Sequence, residues 1–116
     1  MSKLIIDEEG IKRWFLDRRL HRVDGPAVEY PNGAYRWYLY GKLHRIDGPA
    51  VEYAHGEKQW WLNGVRHRLD GPAVELADGR KRWCVNGDFL DKETWLEKLP
   101  ADLKMKALFS ESFITG

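Results

Sequence analysis

The chain has 116 residues, of which 43% are hydrophobic and 32% are charged, and its net charge is +1. This composition is typical of one folded soluble domain, and the charge balance does not by itself favour a nucleic-acid partner. A single cysteine, Cys84, excludes an internal disulfide framework and a multi-cysteine zinc site, and it is typical of a reducing compartment. The first apolar run is too short for a signal peptide, and no segment approaches the roughly 20 apolar residues of a membrane span. We therefore expect a cytoplasmic protein without membrane insertion.

Four tryptophans recur at intervals of 23 residues, and further residues recur in the same register. The pentapeptide Gly-Pro-Ala-Val-Glu begins at residues 25, 48 and 71. So many identities in one register establish an internal repeat. The columns of equivalent positions, which we interpret as structural, are Trp14, Trp37, Trp60 and Trp83; His21, His44 and His67; and Asp24, Asp47 and Asp70.

In chain order, the repeat region is predicted to cover residues 1–90. It begins with a half unit at 3–10, continues with units that start at residues 11, 34 and 57, and ends with a partial unit at 80–90. After Gly87 the pattern dissolves, because Leu90 replaces the histidine and Glu93 and Thr94 replace the aspartate and glycine. Atypical terminal units are expected of stacked repeats, whose ends must face water.

Each unit is predicted to form two short antiparallel strands. The first strand, typified by residues 35–39, is rich in aromatic strand formers and leads into a turn. The turns Asn63-Gly64 and Asn86-Gly87 favour type I′ hairpins, since both central residues need a positive φ. The second strand, typified by residues 49–53, follows a bend at His-Arg-x-Asp-Gly-Pro. The predicted fold class is therefore mainly β, an antiparallel meander of β-hairpin repeats.

Residues 91–116 change to a helical period and are predicted to form a short C-terminal cap. Trp95, Leu96 and Leu99 share one helical face, and Asp91 is suited to the N-cap position. Pro100 ends this helix and starts a second one over residues 101–109. An apolar helix at this point is able to cover an open sheet edge or one face of the sheet.

The 23-residue unit resembles the MORN repeat. It is closer to the divergent MORN-like repeats of bacterial and phage proteins, whose units read Trp-x-x-Asn-Gly-x-x-His-Arg-x-Asp-Gly-Pro-Ala, and the resemblance covers about residues 10–87. The His-Arg-x-Asp-Gly-Pro segment stands where the ordinary MORN unit has a Gly-x-Gly bend. The resemblance implies a scaffolding or binding module, and more specifically a phage-type accessory protein that engages or inhibits a host defence protein.

Two aromatic columns are predicted on opposite faces of the sheet, because side chains alternate along a strand. We interpret the tryptophan column chiefly as core, the alternative being an open stripe that grips a partner. The opposite column consists of Phe15, Tyr38, Trp61 and Cys84. Either the C-terminal helices bury one column, or one column remains exposed as a binding surface with Tyr38 and Trp61 at its centre.

The repeated histidines are not predicted to bind a metal. Equivalent residues of neighbouring units lie roughly 10 Å apart, whereas Zn–N bonds measure about 2.0–2.1 Å. We expect each histidine to form a hydrogen bond near the bend and each aspartate to cap the turn. Cys84 has no matched histidine, and no Gly-x-Ser-x-Gly elbow is present. The sequence therefore predicts no catalytic residue, no enzyme activity, no metal and no cofactor.

The repeat region is basic although the whole chain is nearly neutral. Residues 10–87 hold 14 Lys and Arg against 9 Asp and Glu, and all ten arginines lie there. The repeated Arg22, Arg45 and Arg68, together with Arg36, either pair with the glutamate column or form a basic binding strip.

Non-enzymatic binding of a protein partner through the sheet surface is the leading functional hypothesis. The alternative is a nucleotide, a phosphate-bearing ligand or a single-stranded nucleic acid bound by the aromatic and arginine columns. An open sheet edge also allows a homodimer.

Overall fold

The computed structural model describes residues 2–109. Short strands are followed by two helices, in the order β1 (Lys3–Ile6), β2 (Lys12–Leu16), β3 (Arg19–Leu20), β4 (Val28–Glu29), β5 (Tyr35–Arg36), β6 (Tyr38–Leu39), β7 (Lys42–Leu43), β8 (Val51–Glu52), β9 (Lys58–Gln59), β10 (Trp61–Leu62), β11 (Val65–Arg66), β12 (Val74–Glu75), β13 (Lys81–Val85), β14 (Asp88–Leu90), α1 (Lys92–Glu97) and α2 (Ala101–Leu108).

The strands form an antiparallel meander that follows the chain. The main sheet has the order β1-β2-β4-β5-β8-β9-β12-β13-β14, with β3 paired to β2, and the ladders β6-β7 and β10-β11 stand beside it. The predicted fold class, a mainly β meander of hairpin repeats with short C-terminal helices, is confirmed. Within residues 2–109, neither helix has the length and apolar character that a membrane span requires.

The first strand of each unit changes partners at its tryptophan. The N–H of Trp37 donates to the carbonyl of Ala50 at 2.7 Å, while the carbonyl of Trp37 accepts from the N–H of His44 at 3.0 Å. The strand therefore pairs with the second strand of its unit before the tryptophan and with the hairpin return after it. Equivalent bonds form at Trp14 and Trp60.

The hairpin turns have the geometry that the sequence predicted. In Asn63-Gly64 the φ angles are 48° and 79°, and in Asn86-Gly87 they are 50° and 87°, as a type I′ turn requires. Tyr40-Gly41 adopts the same turn. The first unit uses Asp17-Arg18, with φ angles of 49° and 66°, so two non-glycine residues hold positive φ there.

The core consists of a narrow column along the second strands and a larger cluster at the C-terminal end. The column contains Ala27, Val28, Ala50, Val51, Ala73 and Val74, which are at most 5% exposed. In the cluster, Trp83, Trp95 and Leu99 are also at most 5% exposed, and α2 contributes Ala107.

The helices agree with the predicted C-terminal pattern. The Asp91 side chain caps α1 by accepting the Thr94 N–H at 2.7 Å, and Pro100 separates the two helices. This hydrogen bond holds the pKa of Asp91 below its usual value. The predicted cap extends over 91–116, and its residues 110–116 lie outside the described part of the chain.

Candidate binding surface

The repeated arginines are built into the framework of each unit. The Arg68 side chain is 17% exposed, and its Cζ lies 3.8 Å from the centre of the Trp60 ring. Its Nε donates to Asp70 at 2.8 Å, and its Nη1 donates to the Pro72 carbonyl and to Glu75, each at 3.0 Å. One guanidinium thus joins the bend, the second strand and the tryptophan of a single unit.

The other two arginines make similar contacts. Arg22 stacks on Trp14 at 3.9 Å and pairs with Glu29 at 3.2 Å. Arg45 stacks on Trp37 at 4.1 Å. Pairing with the glutamate column, one of the two predicted alternatives, is therefore confirmed at Arg22 and Arg68.

In the second unit a tyrosine stands between the arginine and the glutamate. Arg45 Nη1 donates to the Tyr35 hydroxyl at 3.4 Å, and this hydroxyl donates to Glu52 at 3.1 Å. Burial, together with the nearby Glu52 carboxylate, raises the pKa of Tyr35. The side chains of the three repeated arginines are only 17–23% exposed and already bonded within their units. Their contact with a partner as a basic binding strip stays a prediction.

The bend aspartates act differently from the prediction. The carboxylates of Asp24, Asp47 and Asp70 each accept from the Nε of the arginine two residues earlier, at 2.8–3.1 Å, where we expected them to cap a turn. The hydrogen bond from Arg45 lowers the pKa of Asp47. The aspartate column therefore helps to orient the arginine column.

The histidines connect neighbouring units. The Nδ1 of His21 accepts the Tyr40 N–H at 3.0 Å, and the Nδ1 of His44 accepts the Asn63 N–H at 2.9 Å. His67 accepts the Asn86 N–H in the same way. Each histidine stands at the start of a bend, as expected, but its partner is the hairpin turn of the next unit. Nδ1 is consequently the unprotonated nitrogen of each ring.

The second aromatic column is half-buried, and its members already have partners within the chain. The Trp61 indole N–H donates to Gln59 at 3.0 Å, and the Arg66 guanidinium lies 4.7 Å from the centre of the Trp61 ring. The Arg36 guanidinium lies 5.8 Å from the centre of the Tyr53 ring. Contact of a partner with Tyr38, Trp61 and Arg36 stays a prediction.

Cys84 ends this second column and lies inside the protein. Its side chain is fully buried, and its thiol donates to the Arg66 carbonyl at 3.2 Å. Burial raises the pKa of the thiol, which favours its protonated form.

The tryptophan face carries two open grooves between successive bends. The Trp60 groove, about 590 Å³ in volume, has apolar walls formed by Ile46, Trp60, Leu62, Leu69 and Leu103. The Trp37 groove, about 360 Å³, is lined by Val23, Trp37, Leu39, His44 and Ile46. Trp37 and Leu39 share this face, as the predicted alternation requires.

Two exposed aliphatic side chains mark these grooves. Val23 is 77% exposed and Ile46 is 84% exposed. Sequence reasoning missed them because they occupy the variable position of His-Arg-x-Asp, between charged neighbours. The available signal was that this position is apolar in all three complete units, as Val23, Ile46 and Leu69.

Comparison of the chain with protein-family models, with curated proteins and with solved structures finds no match. Among residues 2–109, no three histidine, cysteine, aspartate or glutamate side chains are grouped so that they could hold a metal ion.

Proposed function

We propose that this protein is a non-enzymatic binding module that engages a protein partner through the grooves of its tryptophan face. The observation that carries the proposal is the exposure of Val23 and Ile46, at 77% and 84%, on the walls of open grooves. Burying such side chains contributes about 25 cal/mol per Å² of apolar surface. Contiguous exposed apolar surface is typical of protein interaction sites.

The framework around the grooves supports this proposal. Arg45 and Arg68 line the Trp60 groove, and their stacking on Trp37 and Trp60 holds both tryptophans in place. The bond from Asn63 to His44 fixes the next unit against the previous one. A groove that is already rigid loses little conformational freedom when a partner binds, which favours affinity.

The test is recovery of a partner from a lysate of the cell in which the protein occurs. We expect Ile46→Glu to abolish recovery of a protein that the unsubstituted chain retains, because a carboxylate in an apolar interface loses its hydration. Ile6→Glu is the control, since Ile6 is 55% exposed on β1 and lies outside both grooves. Equal recovery by all three proteins would refute the proposal.

A Tyr38→Ala/Trp61→Ala variant tests the opposite face in the same assay. Loss of the partner with this variant, but not with Ile46→Glu, would assign the interface to the second aromatic column. The finer prediction, a phage-type protein that engages a host defence factor, depends on which partner is recovered.

The second candidate function is nucleotide or single-stranded nucleic-acid binding. It is favoured by the partly exposed Tyr38, Trp61 and Arg36, since aromatic side chains stack on bases and cationic side chains contact the phosphate backbone. The test is a titration of labelled oligothymidine with the protein at several increasing salt concentrations. Nucleic-acid binding weakens steeply with salt, whereas an apolar protein interface does not.

Self-association stays a further proposal about the open edge of the sheet. β1 ends the strand order of the main sheet, and its Leu4, Ile5 and Ile6 are 43–55% exposed. An uncovered edge strand with apolar side chains is able to pair with a second copy. Sedimentation of the unsubstituted chain and of the Ile6→Glu variant measures the oligomeric state of each.

A further inference from the structure

The helical cap covers a surface between the third unit and the partial unit at 80–90, whereas the described residues leave the equivalent surface one unit earlier open. Leu69 of the third unit and Val85 and Leu90 of the partial unit pack against the cluster formed by Trp83, Trp95, Leu99 and Ala107. The residues 23 positions earlier are Ile46, Leu62 and His67, and all three line the Trp60 groove. Val23, Leu39 and His44, a further 23 positions earlier, line the Trp37 groove. The described residues therefore contain three equivalent surfaces, of which one is covered by the chain's own helices.

Trp95 is the anchor of the covered surface. It is 1% exposed, and its ring centre lies 4.4 Å from that of Trp83. Its indole N–H donates to the Arg68 carbonyl at 2.9 Å. The equivalent carbonyl, 23 residues earlier, belongs to Arg45, which lines the Trp60 groove.

The covered surface and the Trp60 groove differ in how their tryptophan is covered, and this difference locates the free part of the groove. Asp91 stands where an arginine would stack on Trp83, so the Trp95 ring covers that tryptophan. In the third unit the Arg68 guanidinium already covers Trp60 at 3.8 Å. The apolar surface left for a ligand is consequently the wall formed by Ile46 and Leu62 beside Arg45.

The Trp60 groove is also continuous with the helix–sheet interface. Leu103 of α2 packs against the Trp83–Trp95 cluster and lines the Trp60 groove as well. A second helix on the tryptophan face would therefore lie beside α2. Lys106 of α2 lies next to the same bend, with Asp70 and Leu103, and favours an acidic residue on the flank of such a helix.

We propose that the Trp60 groove binds an amphipathic helix of the protein partner, with a tryptophan that inserts beside Ile46 and donates its indole N–H to the Arg45 carbonyl. This inference rests on the proposed function and names the form of its partner. Docking of an amphipathic helix into an apolar groove is a recurrent mode of peptide recognition. The chain's own α1 shows that this kind of wall accepts a helix-borne indole.

The probe is a fluorescein-labelled synthetic peptide with the sequence of residues 91–109, which carries Trp95. Its anisotropy is measured against the full chain. We expect saturable binding that becomes at least about tenfold weaker with Ile46→Glu in the chain, because the groove wall gains a charge. A peptide with Trp95→Ala is expected to bind at least about tenfold more weakly than the parent peptide.

Ile6→Glu is the control in the chain. Ile6 is 55% exposed on β1 and lines neither the Trp60 groove nor the Trp37 groove. We expect it to change peptide affinity less than about threefold, since it leaves the Ile46 wall intact. Circular dichroism and urea midpoints of both variants show that they are folded.

Three results would overturn the inference. Binding that is insensitive to Ile46→Glu would mean that the peptide exchanges with the chain's own helices or binds elsewhere. An Ile46-dependent dimer in sedimentation would assign the groove to a second copy. Failure of the peptide to saturate below about 1 mM, while Ile46→Glu still abolishes recovery of a protein partner, would leave the proposed function standing and refute the helical occupant.

Discussion

Replacing Gly71 with alanine tests whether the arginine clamp stabilises each unit. A Cβ at Gly71 would lie 2.7 Å from the Arg68 Cζ and 2.9 Å from its Nη1. The same close approach recurs at Gly25 and Gly48, where a Cβ would lie 2.8 Å and 2.9 Å from the arginine Cζ. None of these glycines has a positive φ, so the expected effect of alanine is steric and not conformational.

The magnitude follows from the contacts that the guanidinium would lose. To reach ordinary van der Waals distance, the Arg68 guanidinium must move about 1 Å away from the new Cβ. That movement breaks the stack on Trp60, worth about 1 kcal/mol, and the bond to the Pro72 carbonyl, worth about 1 kcal/mol. The partly exposed pairs with Asp70 and Glu75 add about 0–1 kcal/mol. We expect Gly71→Ala to lower the free energy of unfolding by about 2–3 kcal/mol.

Urea unfolding followed by circular dichroism measures this loss in a double-mutant cycle. With Arg68→Ala already present, Gly71→Ala is expected to cost little, because no guanidinium remains to collide with the new methyl group. Gly33→Ala is the matched control: its Cβ meets nothing within 4 Å, but its φ is +93°. Its cost should be the same in both backgrounds. An equal cost of Gly71→Ala with and without Arg68 would refute the reasoning.

Three further predictions concern the cap and the links between units. Trp95→Ala should lower the free energy of unfolding by about 3–5 kcal/mol, and Trp95→Phe should lower it less. Faster hydrogen exchange should be concentrated in β13 and β14, since stacked units stabilise only their neighbours. Equal loss of exchange protection throughout the sheet would contradict this. His44→Ala removes the acceptor of the Asn63 N–H and should lower the free energy of unfolding by about 1 kcal/mol. Hydrogen exchange of the Asn63 amide should become faster, while exchange of the equivalent Asn86 amide should not change. The pKa of Asp91 is lowered by folding, so its stabilisation is present above the unfolded pKa and lost as pH falls through the folded pKa. Asp91→Asn should therefore lose less stability on acidification than the unsubstituted chain, and identical pH profiles of the urea midpoint would refute this.

Features that depend on neighbours in the chain were predictable from sequence. The Asn63-Gly64 turn has the predicted geometry because positive φ at two successive residues is a local property of the backbone. Asp91 and Pro100 delimit the helices for similarly local reasons. The 23-residue period was visible because the histidine and aspartate columns make the same contacts in every complete unit.

The structure also explains why the pattern ends where it does. His67 accepts a hydrogen bond from the turn of the unit that follows it, whereas the partial unit at 80–90 is followed by α1 and not by another hairpin turn. Its equivalent, Leu90, packs instead against the cap. The change from histidine to leucine was visible in the sequence, but its cause was not, because the partner of each histidine lies 19 residues further along the chain.

The sequence by itself determined the repeat, the alternation of two aromatic columns and the change to helices near the C-terminus, because these follow from local conformational preferences and periodicity. Only the tertiary structure decided which charged and apolar groups are free. The conspicuous arginines are enclosed by their own units, whereas Val23 and Ile46, at an inconspicuous bend position, remain exposed. The physical reason is that exposure depends on what the neighbouring unit and the cap cover. The cap reaches Leu69 but leaves its two equivalents open.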